Sequence, residues 1–384
     1  MDNIVERLAT FKVPMVRLGH PARLLPSVLH HSLDVITKTS DAAGLVRDIR
    51  QEMDQKQASI SKTRNGRERR VIYGELKDLR KEYRVRERAC VDDLIRSSKV
   101  VLATLHGSGG GMLRQAQFDV VIIDEAAQAL EAQCWVALLA AKKAVLAGDH
   151  LQLPPTIKSL SSKTKTKKEE EHDAGITDNS ATLETTLFDR LLALHGSSIK
   201  RMLTTQYRMH ELIMRYPSEE LYESRLIAGE HVKARLLSEL PGVEETDDTK
   251  EPLIFFDTVG GDFPEKAEDG DIKKSRSMAE SKSNEMEAAL VVKHVQGLVA
   301  AGLKPDDIAV ITPYNAQLSI LSQALKGRYP GIELGSVDGF QGREKEAVIF
   351  SLVRSNDKNE VGFLAEKRRL NGKMSCTAGW TEAS

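Results

Sequence analysis

Three cysteines in 384 residues, Cys90, Cys134 and Cys376, are too few and too widely spaced for a disulfide framework or a zinc site. A reducing, intracellular setting, cytoplasmic or nuclear, is the resulting expectation. No apolar run approaches bilayer length, and one of the longest, Cys134–Ala141, stops far short. The opening residues Met1-Asp2-Asn3-Ile4-Val5-Glu6 lack the basic-then-apolar order of a secretory leader. A net charge of -1 leaves no global field to select a partner, so any charge-based recognition rests on local patches. What is present is ordinary for a soluble globular chain: 41% hydrophobic and 29% charged residues, with room for two or three domains.

Residues 1–40 mix short apolar runs with basic residues. From Asp41 to about Ser98 the texture becomes densely charged with helical periodicity: Val46, Ile49 and Met53, then Ile72, Leu76, Leu79 and Tyr83. With a turn at Ser61–Gly66, this predicts two antiparallel helices. Residues 98–157 alternate strands (Lys99–Thr104, Val120–Ile123, Ala144–Ala147) with a helix at Ala129–Leu139. Ser159–Thr182, with Lys163–Lys168 followed by Glu169–Glu171, reads as a disordered linker. A second α/β block follows. Its predicted strands are Leu253–Phe256, Ile308–Thr312, Ile332–Val337 and Ala347–Val353, and its helices lie near Phe188–Leu194, Glu285–Ala300 and Gln317–Lys326. Gly260–Ser283 reads as a mobile loop. Two α/β blocks in tandem suggest two sheets with a cleft between them.

The chemistry-bearing stretch runs from Phe118 to Pro155. The apolar run Phe118–Ile123 delivers Asp124-Glu125, and Ala144–Ala147 delivers Gly148-Asp149-His150-Leu151-Gln152-Leu153-Pro154-Pro155. Acidic residues at the carboxyl ends of buried strands stand where open α/β sheets place ligand chemistry. Alone, an Asp-Glu after a strand is a weak signal. It gains weight from an ordered set: Gln206-Tyr207-Arg208-Met209-His210, then Thr312-Pro313-Tyr314-Asn315, then Val337 through Glu346 with its Gly-Arg-Glu. Together these segments resemble superfamily 1B helicases of the branch that contains the nonsense-mediated-decay helicase, nearest to the immunoglobulin-mu-binding type. Leu18-Gly19-His20-Pro21-Ala22-Arg23 fits the same family, and the likeness extends to about Asn371.

The resemblance implies an α/β fold of two tandem RecA-like P-loop NTPase domains, the first incomplete and carrying a helical stalk at 41–98. By the same likeness the first domain spans residues 1–158, a linker 159–183, the second domain 184–371 and a divergent tail 372–384. It implies ATP and Mg²⁺ as cofactors, single-stranded DNA or RNA as partner, no membrane, and a monomer. Asp124 is implied to hold Mg²⁺ through water, and Glu125 to orient and deprotonate the attacking water. Gln152 is implied to sense the γ-phosphate, Arg208 to act as an arginine finger, Tyr207 to stack on adenine and Glu344 to contact the nucleotide. Thr104, Pro155, Thr312, Asn315 and Ser336 are implied to line a single-strand groove, with contacts mostly to phosphate and sugar. For each of these five a loop-capping role is a nearly equal reading.

Two departures stand against the likeness. No Gly-x-x-x-x-Gly-Lys-Ser/Thr occurs in these residues; Gly372-Lys373 is followed by Met374, and Gly107–Gly111 carries no lysine. The expectation is a chain that starts just after its phosphate loop, with neighbouring apolar strands left unpaired at an edge. At the far end, Gly372–Ser384 shows neither the strand nor the arginines that the family carries there. The rival reading is a non-catalytic nucleic-acid-binding or regulatory fragment. A simple ATPase of another P-loop class is disfavoured by the Thr312 and Glu344 segments. Arg67–Arg88 carries nine basic and five acidic residues, a face that is either solvated or laid against phosphate.

Overall fold

The computed structural model describes residues 1–39, 43–62, 65–155, 185–267, 281–340, 344–356, 360, 371 and 377–383. It divides into two units, Met1–Gly148 and Asp149–Ser384. The stretch read as a linker lies outside the described residues, as do Gln341–Arg343 and most of the run from Phe363 to Asn371.

In the first unit, helix α1 (Asp2–Thr10) precedes strand β1 (Met15–Arg17), and Val5, Met15, Val28 and Leu102 form a small core. Helices α2 (Leu33–Thr39), α3 (Ala43–Lys62) and α4 (Gly66–Ser97) follow. The apolar periodicity of α3 and α4 closes on itself: Ile49, Met53 and Leu76 are buried together, flanked by Ile72, Leu79 and Tyr83. Asn65 caps α4 by accepting the Arg67 backbone N–H at 3.0 Å. Strand β2 (Val100–Leu102) then pairs in parallel with β1. Helix α5 (Leu105–Ser108), strand β3 (Phe118–Ile123), helix α6 (Glu131–Leu138) and strand β4 (Ala141–Leu146) complete the unit, with β3 and β4 parallel. Among the described residues these strands make two separate two-stranded ladders. Although their sequence is that of buried strands, Ile122 is 70% and Val145 50% exposed.

The second unit has helix α7 (Leu187–His195), strand β5 (Thr205–Gln206), helix α8 (Glu211–Leu221) and strand β6 (Ile227–Ala228), with β5 and β6 parallel. Strand β7 (Leu253–Phe256) leads to a short antiparallel pair, β8 (Lys266–Ala267) and β9 (Lys282–Ser283). Part of the stretch read as a mobile loop is therefore ordered pairing, while residues 268–280 lie outside the described set. Next come α9 (Glu285–Ala300), β10 (Ile308–Thr312), α10 (Asn315–Leu325), β11 (Glu333–Ser336), α11 (Val337–Phe340), β12 (Lys345–Ser351) and β13 (Thr377–Ala383).

Five of these strands form one parallel sheet in the order β11-β10-β12-β13-β7. Every residue of β10 is buried, and β12 is buried from Ala347 onward, which is why both read as continuous apolar runs. One core lies on each face of the sheet, one built on Phe340, Phe350 and Ile213, the other on Val295, Leu298 and Leu321. The tail read as lacking a strand is corrected here: Thr377–Ala383 pairs in parallel with both β12 and β7, inside the sheet. Partners on both sides supply what its sequence does not advertise.

Candidate functional site

The first unit contributes the acidic pair. Asp124 and Glu125 are both exposed just beyond the carboxyl end of β3. Glu125 sits in the left-handed region at φ 55°, an uncommon place for a glutamate, so the turn is held by its surroundings. Its N–H donates to the Asp124 carboxylate at 3.1 Å, and the Gln128 amide donates to its own carboxylate at 2.6 Å. The turn is tied to β4 through backbone bonds, Ala147 N–H to Ile123 C=O at 2.9 Å and Ala126 N–H to Ala147 C=O at 2.8 Å. Gly148 makes this approach possible: a Cβ there would stand 3.0 Å from the Ala126 and Ala127 nitrogens. Among the described residues no cluster of three or more histidine, cysteine or carboxylate side chains stands ready for a metal. One exposed carboxylate nevertheless fits Mg²⁺ that arrives with phosphate oxygens and keeps its waters. Thr104, in the same unit, caps α5 by accepting the Gly107 N–H at 3.0 Å, which is the loop-capping role.

The second unit brings three sequence-predicted residues together. After β5, the Gln206 side chain folds over its own turn, accepting the Arg208 and Met209 N–H groups at 2.8 and 2.9 Å. It also donates to the Met209 carbonyl at 2.7 Å. The turn so fixed presents Arg208 to Glu344, which its guanidinium meets at 3.1 Å. Tyr207 is 69% exposed and so takes no part in the core. Its ring lies over Gly229, where a Cβ would come within 2.5 Å of it. Gln206 opens a motif without any role marked for it, and Gly229 lies outside every motif, since a side chain bonded to its own turn leaves no periodic signal.

The loop after Gly148 forms a second polar knot. Asp149 accepts the Leu151 N–H and the Gln152 amide, each at 3.0 Å, and also the hydroxyl of Tyr222 from the end of α8. Asn371 donates to the Tyr222 oxygen at 2.6 Å and to the Leu151 carbonyl at 3.0 Å. Burial and the Asp149 carboxylate push the Tyr222 hydroxyl well above its ordinary value, so it stays protonated and donating. Gln152 is thus held by Asp149 of its own segment, which Tyr222 and Asn371 back from outside it. Pro155 is buried.

At the carboxyl edge of the five-stranded sheet, Thr312 and Ser336 are register partners, and Asn315 opens α10 directly after β10. The chain leaves β10 for β11 on one side and returns to β12 on the other, the place where such sheets bind ligands. Asn315 is exposed, but Thr312 is fully buried with its hydroxyl unpartnered, so in this conformation no ligand touches it. Glu344 precedes β12 at the other edge, about 20 Å away along strands of this length. The two implied sets therefore occupy opposite edges of one sheet.

Beneath the carboxyl edge lies a buried network that sequence reading missed. The Gln317 side chain pairs with both backbone groups of Asn284, at 2.9 and 3.0 Å, and donates to Ser351 at 2.9 Å. Ser351 donates to the Glu287 carboxylate at 2.9 Å, which also accepts the Val353 N–H at 2.8 Å. Burial pushes the Glu287 carboxyl up to about 7. Val353 is held at φ 73°, a conformation that a β-branched residue rarely adopts.

A strand-borne acidic pair, an arginine–glutamate pair beside an exposed tyrosine, and a doubly covered parallel sheet define a nucleotide-handling α/β class. Family comparison agrees: a model described as an AAA domain matches residues 183–376, and another, also described as an AAA domain, matches residues 1–160. The chain belongs to this AAA-domain family and, within it, to the SMUBP-like superfamily 1B helicases. It is 49% identical over 371 residues to the DNA polymerase alpha-associated DNA helicase A of Schizosaccharomyces pombe, covering 97% of this chain and 53% of that protein. It is 47% identical over 375 residues to the DNA-binding protein SMUBP-2 of Mus musculus, covering 97% of this chain and 35% of that protein. A regulator of nonsense transcripts 1 homolog from Drosophila melanogaster is 35% identical over 300 residues, 76% of this chain and 23% of that protein. The chain thus spans about half, or less, of the length of these relatives. No helix among the described residues is long and apolar enough to cross a membrane.

Proposed function

We propose that these residues are part of an ATP-driven motor that moves 5′-to-3′ along single-stranded DNA or RNA, acting as a monomer in the nucleus or cytoplasm. The observation that carries the reading is the pairing of Arg208 with Glu344 beside the exposed Tyr207 ring, 136 residues apart in sequence between arginine and acid. In this reading Tyr207 stacks on the base, Arg208 exchanges Glu344 for a phosphate oxygen, and Gln152 answers to the γ-phosphate. Glu125 orients water, and Asp124 would hold Mg²⁺, which supplies charge neutralisation when bound with the nucleotide. Asn315 and Ser336 meet the strand's phosphates and sugars at the opposite edge of the sheet, Thr312 joins them only if that edge opens, and Thr104 and Pro155 are further single-strand contacts, each within its own unit.

Since these residues contain no lysine-bearing phosphate loop, a polypeptide of these 384 residues is expected to release little or no phosphate from ATP, with or without nucleic acid. A nucleic-acid-stimulated rate close to that of a full-length relative would refute this. The exposed apolar faces of β3 and β4 support an incomplete first sheet in this polypeptide.

Nucleotide contact has its own test. Gly229→Ala is expected to swing the exposed Tyr207 ring off its seat without disturbing the core, because the ring is free to move outward. Affinity for a fluorescent adenine nucleotide should fall roughly fivefold, about 1 kcal/mol of stacking, at unchanged melting temperature. An unaltered titration would show that the ring's resting place is not its binding place.

A further inference from the structure

We propose that the outward face of α4 is a second nucleic-acid contact, a basic stripe that grips the phosphate backbone of a double helix, distinct from any single-strand groove. At roughly 100° per residue, Arg70, Lys77, Arg80, Lys81, Arg84 and Arg88 fall within an arc of about 100°. That arc holds none of the five acids between Arg67 and Arg88; Glu68, Glu75, Asp78 and Glu82 group on a different flank. All six cations are exposed, and none has a hydrogen-bond or ion-pair partner among the described residues. The ion pairs that α4 does make, Arg86 with Glu82 and Lys56 with Glu75, lie off the stripe.

Segregation of this kind carries a cost. Lys77 and Lys81, Arg80 and Arg84, and Arg84 and Arg88 are like charges one turn apart, a spacing that destabilises a helix. A merely solvated face gains nothing from that arrangement; a surface for a polyanion does. From Arg70 to Arg88 the stripe runs about 27 Å along a continuous helix, and a duplex offers one charge per roughly 1.7 Å of its axis. Four of the six cations are arginines, whose planar fork pairs with phosphate in two-point fashion. A lipid surface is the weaker partner, because interfacial helices need a free apolar face. The apolar face of α4 is already used against α3, with Leu76 buried beside Ile49 and Met53. Exposed Tyr73 is the one aromatic residue within the arc.

The polyanion class rests on the nucleic-acid reading above, so the experiment separates the two. The 384-residue chain is titrated by fluorescence anisotropy against a blunt 25-base-pair DNA duplex, a matching RNA duplex and a 12-nucleotide single strand, from 50 to 200 mM KCl. The variant Arg70→Gln/Lys77→Gln/Arg84→Gln/Arg88→Gln removes all three like-charge pairs while keeping good helix formers, so its far-ultraviolet dichroism should match or exceed wild type. The expected result is a loss of tenfold or more in duplex affinity, with the log–log salt slope shallower by roughly 3 to 4 and single-strand affinity nearly unchanged. The off-stripe control Arg69→Gln/Arg86→Gln should behave as wild type. Equal duplex affinity and slope in variant and wild type would overturn the proposal. So would a wild-type chain that binds the single strand but no duplex. A chain that binds none of the three nucleic acids would overturn the motor reading together with this one.

Discussion

Arg208→Ala should lower ATP turnover roughly 10³-fold in a form of the protein that carries a phosphate-binding loop, the scale at which arginine fingers act. The size follows from how the side chain is held. Gln206 clamps the turn from both sides, so the Arg208 backbone has little freedom, and Glu344 holds the guanidinium at 3.1 Å. With both partners more than a third exposed, that ion pair contributes little to stability, and its exchange for a nucleotide phosphate is cheap. Arg208→Lys should fall nearly as far, since an ammonium cannot span two phosphate oxygens in the same plane. Glu344→Gln should leave the fold intact, loosen the resting arginine and raise the apparent KM more than it lowers kcat. Steady-state phosphate release with separate kcat and KM, beside thermal melts, decides the matter. A turnover within threefold of wild type for Arg208→Ala would remove the arginine from the reaction.

Much of this arrangement was legible in sequence, for identifiable reasons. Strands β7 and β10 and helix α9 fall on the expected boundaries: β10 because a fully buried strand reads as an apolar run, α9 because Asn284 marks its start with a side-chain cap at 3.0 Å, and β7 as an apolar run although it is only half-buried. The helical pair α3 and α4 was equally plain, since its apolar spacing has only itself to satisfy. Strand β13 was not legible: Thr377-Ala378-Gly379-Trp380-Thr381-Glu382-Ala383 contains glycine and glutamate, and pairing on both sides overrides its weak preference. Nor was the burial of Thr312, because the same Thr-Pro-Tyr-Asn string suits an open edge or a closed one. Of the residues the motifs marked, Arg208 and Glu344 meet in the structure, and Tyr207, next to Arg208 in the chain, is exposed. The motifs gave no sign of the Gln206 clamp, the Gly229 seat or the Tyr222–Asn371 support behind Asp149, which exist only through backbone approach and long-range packing. Glu287 was hidden for another reason. An acid in the first turn of a helix reads as a response to the helix dipole, and nothing local says that it is buried.

That burial sets up the largest expected effect on stability. The Glu287 carboxyl moves from an ordinary 4.5 to about 7 on folding, so between those limits the folded state keeps a proton that the unfolded state releases. Stability from this group is fully present below pH 4.5 and is lost as pH rises to about 7, a change of roughly 3 kcal/mol. His294 pulls in the opposite direction, since burial lowers its value and the folded state resists its protonation as pH falls through the ordinary 6.5. The comparison of wild type with Glu287→Gln cancels His294 and isolates the carboxyl. Chemical denaturation of the chain at pH 5, 6, 7 and 8 should show the difference between the two shrinking by most of that amount as pH rises. Glu287→Leu should be far worse, by roughly 3–5 kcal/mol, because it strands the Ser351 hydroxyl and the Val353 N–H in the interior. It also removes the acceptor that keeps Val353 at positive φ, so Val353→Gly should recover part of the loss in that background. A wild type-to-Gln difference that stays constant from pH 5 to 8 would mean that the carboxyl is ionised in the folded state. The network would then be an ordinary charged cap rather than a proton-holding core beneath the sheet's carboxyl edge.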